Sequence, residues 1–215
     1  MDILKIISYI GIVILGINTI LYFTGFAKNS KAYKIFVAYL LAITAIQVTM
    51  EIHAINGSNN HYLSNYYLFL QFILLSFFFY YLFININTKS SAIVKYTSSV
   101  ITLALIAQYI IYPAQYYTFN QVGLLLTSVV LTIYPILYLY ELLSKKLPFY
   151  YASAGIFIYL ISSALIFAST SSIVSFGYEI SMYIWKLNGI LFIIYQLLIL
   201  WEWKQNFSQK RMRQE

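Results

Sequence analysis

Seven apolar runs, each of about twenty residues, divide this chain almost from end to end. They cover approximately 3–23, 33–50, 62–84, 92–112, 119–142, 149–169 and 180–203. A helix rises about 1.5 Å per residue, so about 20 residues cross a hydrocarbon core of about 30 Å. Backbone N–H and C=O groups in lipid must be satisfied within the spanning element, so each run reads as a transmembrane helix. The fold class expected is all-α: a polytopic membrane protein, a bundle of seven transmembrane helices. The first run is too long and too uniformly apolar for a signal peptide, and no small-residue cleavage site follows it.

Composition agrees. Charged residues make up 9% of the chain and hydrophobic residues 61%, where soluble domains carry about 25% charged residues. The absence of cysteine excludes disulfides, thiolate metal sites and a cysteine nucleophile. A net charge of +7 does not point to nucleic acid, because the basic residues are scattered through loops and tail. It fits loops beside anionic lipid.

Short polar turns carrying helix breakers separate the runs. They are 28–31, Asn56-Gly57-Ser58-Asn59-Asn60, 89–91, Pro113, 145–148 and a Ser-rich stretch at 169–175 with Gly177. No linker interrupts them, so one domain is expected over 1–204, with a basic cytoplasmic tail at 205–215. Lys28, Lys31, Lys34, Lys89, Lys95, Lys145, Lys146 and the basic residues of the tail all fall on one side. Only Lys5 and Lys186 fall on the other. Basic residues stay cytoplasmic, so the N-terminus is expected outside and the C-terminus inside. The membrane expected is the bacterial inner (cytoplasmic) one, crossed several times. Tyr39-Leu40-Leu41-Ala42 in helix two and Tyr159-Leu160-Ile161-Ser162 in helix six occupy equivalent places, which allows a 3+1+3 internal repeat.

Polar side chains in hydrocarbon are costly unless paired, so their placement is informative. Thr44, Gln47 and Glu51 share a face of helix two, and His61, Ser64 and Gln71 share a face of helix three. Helix seven carries Glu179, Tyr183 and Lys186, with Asn188 and Gln196 deeper. Helix one has Ser8, Gly11, Asn18 and Tyr22 along one stripe. Gln47, Glu51, His61, Gln71, Lys186 and Asn188 form the candidate lining of an outward-facing pocket, with Glu51 and Lys186 as a candidate ion pair. The plainer alternative is that Lys186 snorkels to the interface and that Asn188 and Gln196 bond neighbouring helices.

Glu51, His53 and His61 have no zinc-ligand spacing, and no metal is expected. No G-x-S-x-G or Gly-rich phosphate loop occurs, so no catalytic residue and no cofactor is expected. Pro135 is expected to kink helix five, with Ser128 and Thr132 beside the freed backbone groups. Glu141 and Lys145 are spaced for an ordinary i, i+4 pair.

A lysine in the last of seven helices resembles the microbial rhodopsins, but helix three offers no carboxylate as counter-ion, so retinal is not implied. The 3+1+3 order is similar to that of seven-helix sugar transporters, without the proline-glutamine loop motif of that wider group. Two functions follow from the residues. One is binding or translocation of a small polar solute or ion through the outer pocket. The other is a non-catalytic membrane accessory, sensor or effector-partner protein. The bilayer is the expected partner, nucleic acid is not expected, and a protein partner or homo-oligomer is compatible with either function.

Overall fold

The computed structural model describes residues 3–58, 60–173 and 178–208. Seven α-helices follow one another among these residues. They are α1 (Ile3–Thr24), α2 (Lys31–Ile55), α3 (His61–Phe83), α4 (Thr88–Ile111), α5 (Gln121–Leu142), α6 (Tyr150–Ile173) and α7 (Tyr178–Glu202). A short 3₁₀ turn, Pro113–Tyr117, joins α4 to α5, and a π-helical turn, Trp203–Phe207, follows α7. Six of the helices, all but α6, are long and apolar enough to cross a membrane; the described apolar part of α6 is Tyr150–Ile166. The chain is an all-α polytopic membrane protein.

Several helix ends are set by local chemistry. Ser30 caps α2 by accepting from the Tyr33 N–H, and Asn87 caps α4 by accepting from Lys89 and Ser90. Side-chain oxygens at these positions satisfy N–H groups that have no intrahelical acceptor. The end of α2 lies five residues beyond the expected 50. Ile52, Ala54 and Ile55 continue the helix, and the stop comes at Asn56-Gly57. The Gly57 N–H donates to Ala54 O at 3.2 Å and the Ser58 N–H to His53 O at 2.9 Å. This pair of bonds is the Schellman termination, which needs the left-handed φ of +65° that Gly57 adopts. Glu51 and His53 therefore belong to the last turns of α2, not to the loop. Likewise α4 begins at Thr88 and not at 92, which places the expected turn Lys89-Ser90-Ser91 inside the helix and Lys95 two turns from its start. The basic tail falls at 209–215 outside the described residues.

By contacts the chain forms two compact units, Met1–Ala27 with Pro135–Glu215, and Lys28–Tyr134. This grouping is not the division that a 3+1+3 repeat draws. In the first unit α7 packs against both α1 and α6. In the second α3 packs against both α2 and α4, and the 3₁₀ turn lies against α3 and α4. The boundary falls at Pro135, inside α5, which runs on as one helix through the proline.

In the first unit α1 buries Gly11, Leu15, Asn18, Thr19 and Tyr22 along one stripe. Lipid gives helices little hydrophobic reason to associate, so packing and interhelical hydrogen bonds must hold them. Close approach is visible at two glycines, one on each side of the α1–α7 seam. A Cβ on Gly11 would meet Phe192 at 2.9 Å, and one on Gly189 would meet the Ile7 Cγ2 at 2.6 Å. In the second unit the core is aromatic. Phe36, Phe72, Phe78, Phe79 and Phe83 are fully buried, with Phe36 and Phe78 4.9 Å apart.

Candidate functional site

The residues expected to line an outer pocket divide between the units. Gln47, Glu51, His61 and Gln71 lie in the second, and Lys186 and Asn188 in the first. Gln47 and Glu51 are half-buried on α2. Gln71 is buried on α3 and donates through Nε2 to the Tyr67 hydroxyl at 3.3 Å. Within the second unit no hydrogen bond joins Gln47, Glu51 and Gln71 to one another among the described residues. The side chains of His61 and Glu179 lie outside the described residues. His53 meets the Tyr62 hydroxyl at 3.4 Å. No group of three or more His, Asp or Glu side chains that could hold a metal occurs among the described residues.

In the first unit the Lys186 ammonium sits 5.3 Å from the centre of the Tyr183 ring. Tyr183 is one turn nearer the start of α7, so the lysine stem runs toward that end of its own helix, the direction snorkelling requires. Asn188 is joined to α6: its Oδ1 accepts the Ser163 hydroxyl at 2.9 Å. Deeper in α7, Gln196 is completely buried and bonded to α1. The Asn18 amide donates to both the Gln196 main-chain oxygen at 2.8 Å and its Oε1 at 3.0 Å. Three residues on, the Tyr22 hydroxyl donates to Ile199 O at 3.1 Å. The plainer sequence reading of Asn188 and Gln196, as bonds between helices, describes this geometry.

The end of the second unit that carries the 3₁₀ turn holds a connected set of amides. The Asn65 amide donates to three carbonyls of the turn region, Gln115 at 3.2 Å, Tyr116 at 2.8 Å and Thr118 at 3.1 Å. Gln108 donates to Gln115 at 2.8 Å, and Asn120 donates to Gln108 at 3.1 Å and to the Tyr109 hydroxyl at 3.1 Å. Asn120 also caps α5, accepting the Gly123 N–H at 2.8 Å. The Tyr66 and Tyr116 hydroxyls are 2.6 Å apart. That bond, more than any other influence, holds the Tyr116 hydroxyl above the ordinary tyrosine value. These groups tie a loop end down.

One buried acid escaped the sequence reading. Glu202, at the end of α7, is fully buried. Its carboxylate accepts the backbone N–H groups of Phe149 at 2.6 Å and Tyr151 at 2.8 Å and the Asn206 amide at 2.5 Å, and the Ala152 N–H also faces it. Phe149 immediately precedes α6 and has no side-chain acceptor of its own. A carboxylate from another helix therefore caps α6, where the helix dipole also favours negative charge. Phe149 itself has φ +68°, a conformation that strains a bulky residue. Its buried ring, 4.9 Å from Phe207, and the Glu202 bond hold it there.

Compared with protein families, characterised proteins and solved structures, the chain matches none.

Proposed function

We propose that this is a non-catalytic accessory or sensor protein of the cytoplasmic membrane, acting by binding within or beside the bilayer and not as a conduit. One observation carries the reading: deep polar side chains bond to one another across helix seams, with Asn18 Oδ1 and Gln196 Nε2 the buried atoms of these pairs left over among the described residues. Asn18 bonds Gln196, Ser163 bonds Asn188, and Tyr22 bonds the α7 backbone. A polar group committed to a neighbouring helix lowers its own cost in lipid. It is then a poor stepping stone for a hydrated solute, which needs a run of polar groups free to replace its water.

The rival reading keeps a small polar solute or ion, an outer pocket lined by Gln47, Glu51, His61, Gln71, Lys186 and Asn188, and a Glu51–Lys186 pair. Flux into proteoliposomes separates the two. Accessory function predicts no faster entry of monovalent ions, sugars or amino acids than into protein-free vesicles. A saturable flux that Glu51→Gln or Lys186→Met abolishes would establish translocation instead.

A further inference from the structure

A groove of about 630 Å³ lies between α3 and α4, wholly within the second unit. That size is within the range of about 300–1,000 Å³ common to ligand sites. One wall is Ile73, Ser76, Phe77 and Tyr80 of α3, spaced i, i+3, i+4, i+7, so all face one way. The other is Lys95, Ser98, Ser99, Thr102 and Leu103 of α4, with the same spacing and one residue more. The two helices are antiparallel neighbours, so the groove is graded along its length. Tyr80 and Lys95 stand at the end near the α3–α4 turn. Ile73 and Leu103 stand at the other, toward mid-span.

Charge follows the same gradient. Lys95 is about 10 Å along α4 from its first residue, and among the described residues its ammonium has no hydrogen bond, ion pair or aromatic partner. The Ser98 and Ser99 hydroxyls both donate to the Lys95 carbonyl, at 3.1 and 2.8 Å, which leaves their oxygens as acceptors only. Beyond them the groove is apolar except for Thr102, with Phe77 and Leu103 well exposed. The Lys95 ammonium calls for an anionic group at that end, and exposed Phe77 and Leu103 call for hydrocarbon along the rest.

We propose that the α3–α4 groove holds one anionic phospholipid, its phosphate on Lys95 and an acyl chain along Phe77, Thr102 and Leu103. A free anion would satisfy Lys95 but leave the apolar length unfilled, and a zwitterionic lipid would forfeit the charge. The lysine distribution puts the Lys95 end at the cytoplasmic leaflet, where anionic lipids concentrate. The site stands on its own residues and does not depend on the accessory reading.

Native mass spectrometry of the intact protein in mild detergent tests it, with phosphatidylglycerol and phosphatidylcholine as probes. One phosphatidylglycerol per chain should be retained in preference to phosphatidylcholine. Lys95→Gln should reduce that preference about fivefold, equivalent to about 1 kcal/mol for one lysine near an anionic surface, and Lys95→Arg should keep it. Thr102→Trp fills the groove and should abolish retention; Ser99→Phe is a second filler should the first not fold. Inorganic phosphate should not displace the lipid. Equal retention of the two lipids would overturn the proposal. So would loss of preference in Lys95→Arg, retention by a folded groove-filled variant, or displacement by phosphate.

Discussion

Glu202 Oε1 accepts the backbone N–H of Phe149 at 2.6 Å, across 53 positions of sequence. The last residue of one membrane helix thereby caps the first turn of another. Glu202→Ala would leave the N–H groups of Phe149 and Tyr151 without an acceptor in a buried place. Each such group costs about 1–3 kcal/mol, so thermal unfolding in detergent should show a clear loss of stability. Glu202→Gln keeps one acceptor oxygen and should lose less. Equal stability of Glu202→Ala and the parent chain would mean that water or the turn itself caps α6.

Asn18 and Gln196 should be energetically coupled. Both are fully buried, and they meet at 3.0 Å between side chains. Interhelical polar pairs in membranes couple by about 0.6 kcal/mol on average and up to about 1.7 kcal/mol. Asn18→Leu, Gln196→Leu and the double variant, compared by denaturation in mixed micelles, should show a coupling in that range. Strictly additive losses would dissolve the pair.

Orientation can be checked because the chain has no cysteine. Ser58, in the α2–α3 turn, and Lys146, between α5 and α6, are both exposed. Ser58→Cys should react with an impermeant maleimide on intact cells, and Lys146→Cys only after permeabilisation. The opposite pattern would invert the topology drawn from the lysines.

The helices were legible because their cause is local: length and apolarity suffice to name a span. Errors came at the ends. The last turn of α2 was hidden by a polar composition, Glu51 and His53, although Gly57 carried the stop signal. The start of α4 was hidden in the same way, by Lys89, Ser90 and Ser91, while the expected span already held Lys95. Its i, i+3, i+4, i+7, i+8 relation to Ser98, Ser99, Thr102 and Leu103 was present in the sequence, but it becomes a groove wall only beside Ile73, Ser76, Phe77 and Tyr80. Asn188 and Gln196 were readable as helix-to-helix bonds because lipid leaves a buried amide few alternatives. Their partners Ser163 and Asn18 were not, since spacing within one helix carries no information about which helix lies opposite. Glu202 shows the same limit. The faint signal was an acid at the end of a span together with a helix start, Pro148-Phe149-Tyr150, lacking any Ser, Thr, Asp or Asn cap.

The central claim is that the deep polar residues of α7 are locks between helices and not the lining of a water-filled path. Single cysteines at positions 188 and 196, in the otherwise cysteine-free chain, test this most directly. Their reaction with a small water-soluble methanethiosulfonate should be followed from each side of sealed vesicles, with Ser58→Cys and Lys146→Cys as accessible references. The locked seams predict that positions 188 and 196 stay unmodified from both sides while the references react from one side each. Rapid modification at both positions would show a continuous aqueous path along α7, contradict the account and restore translocation as the function.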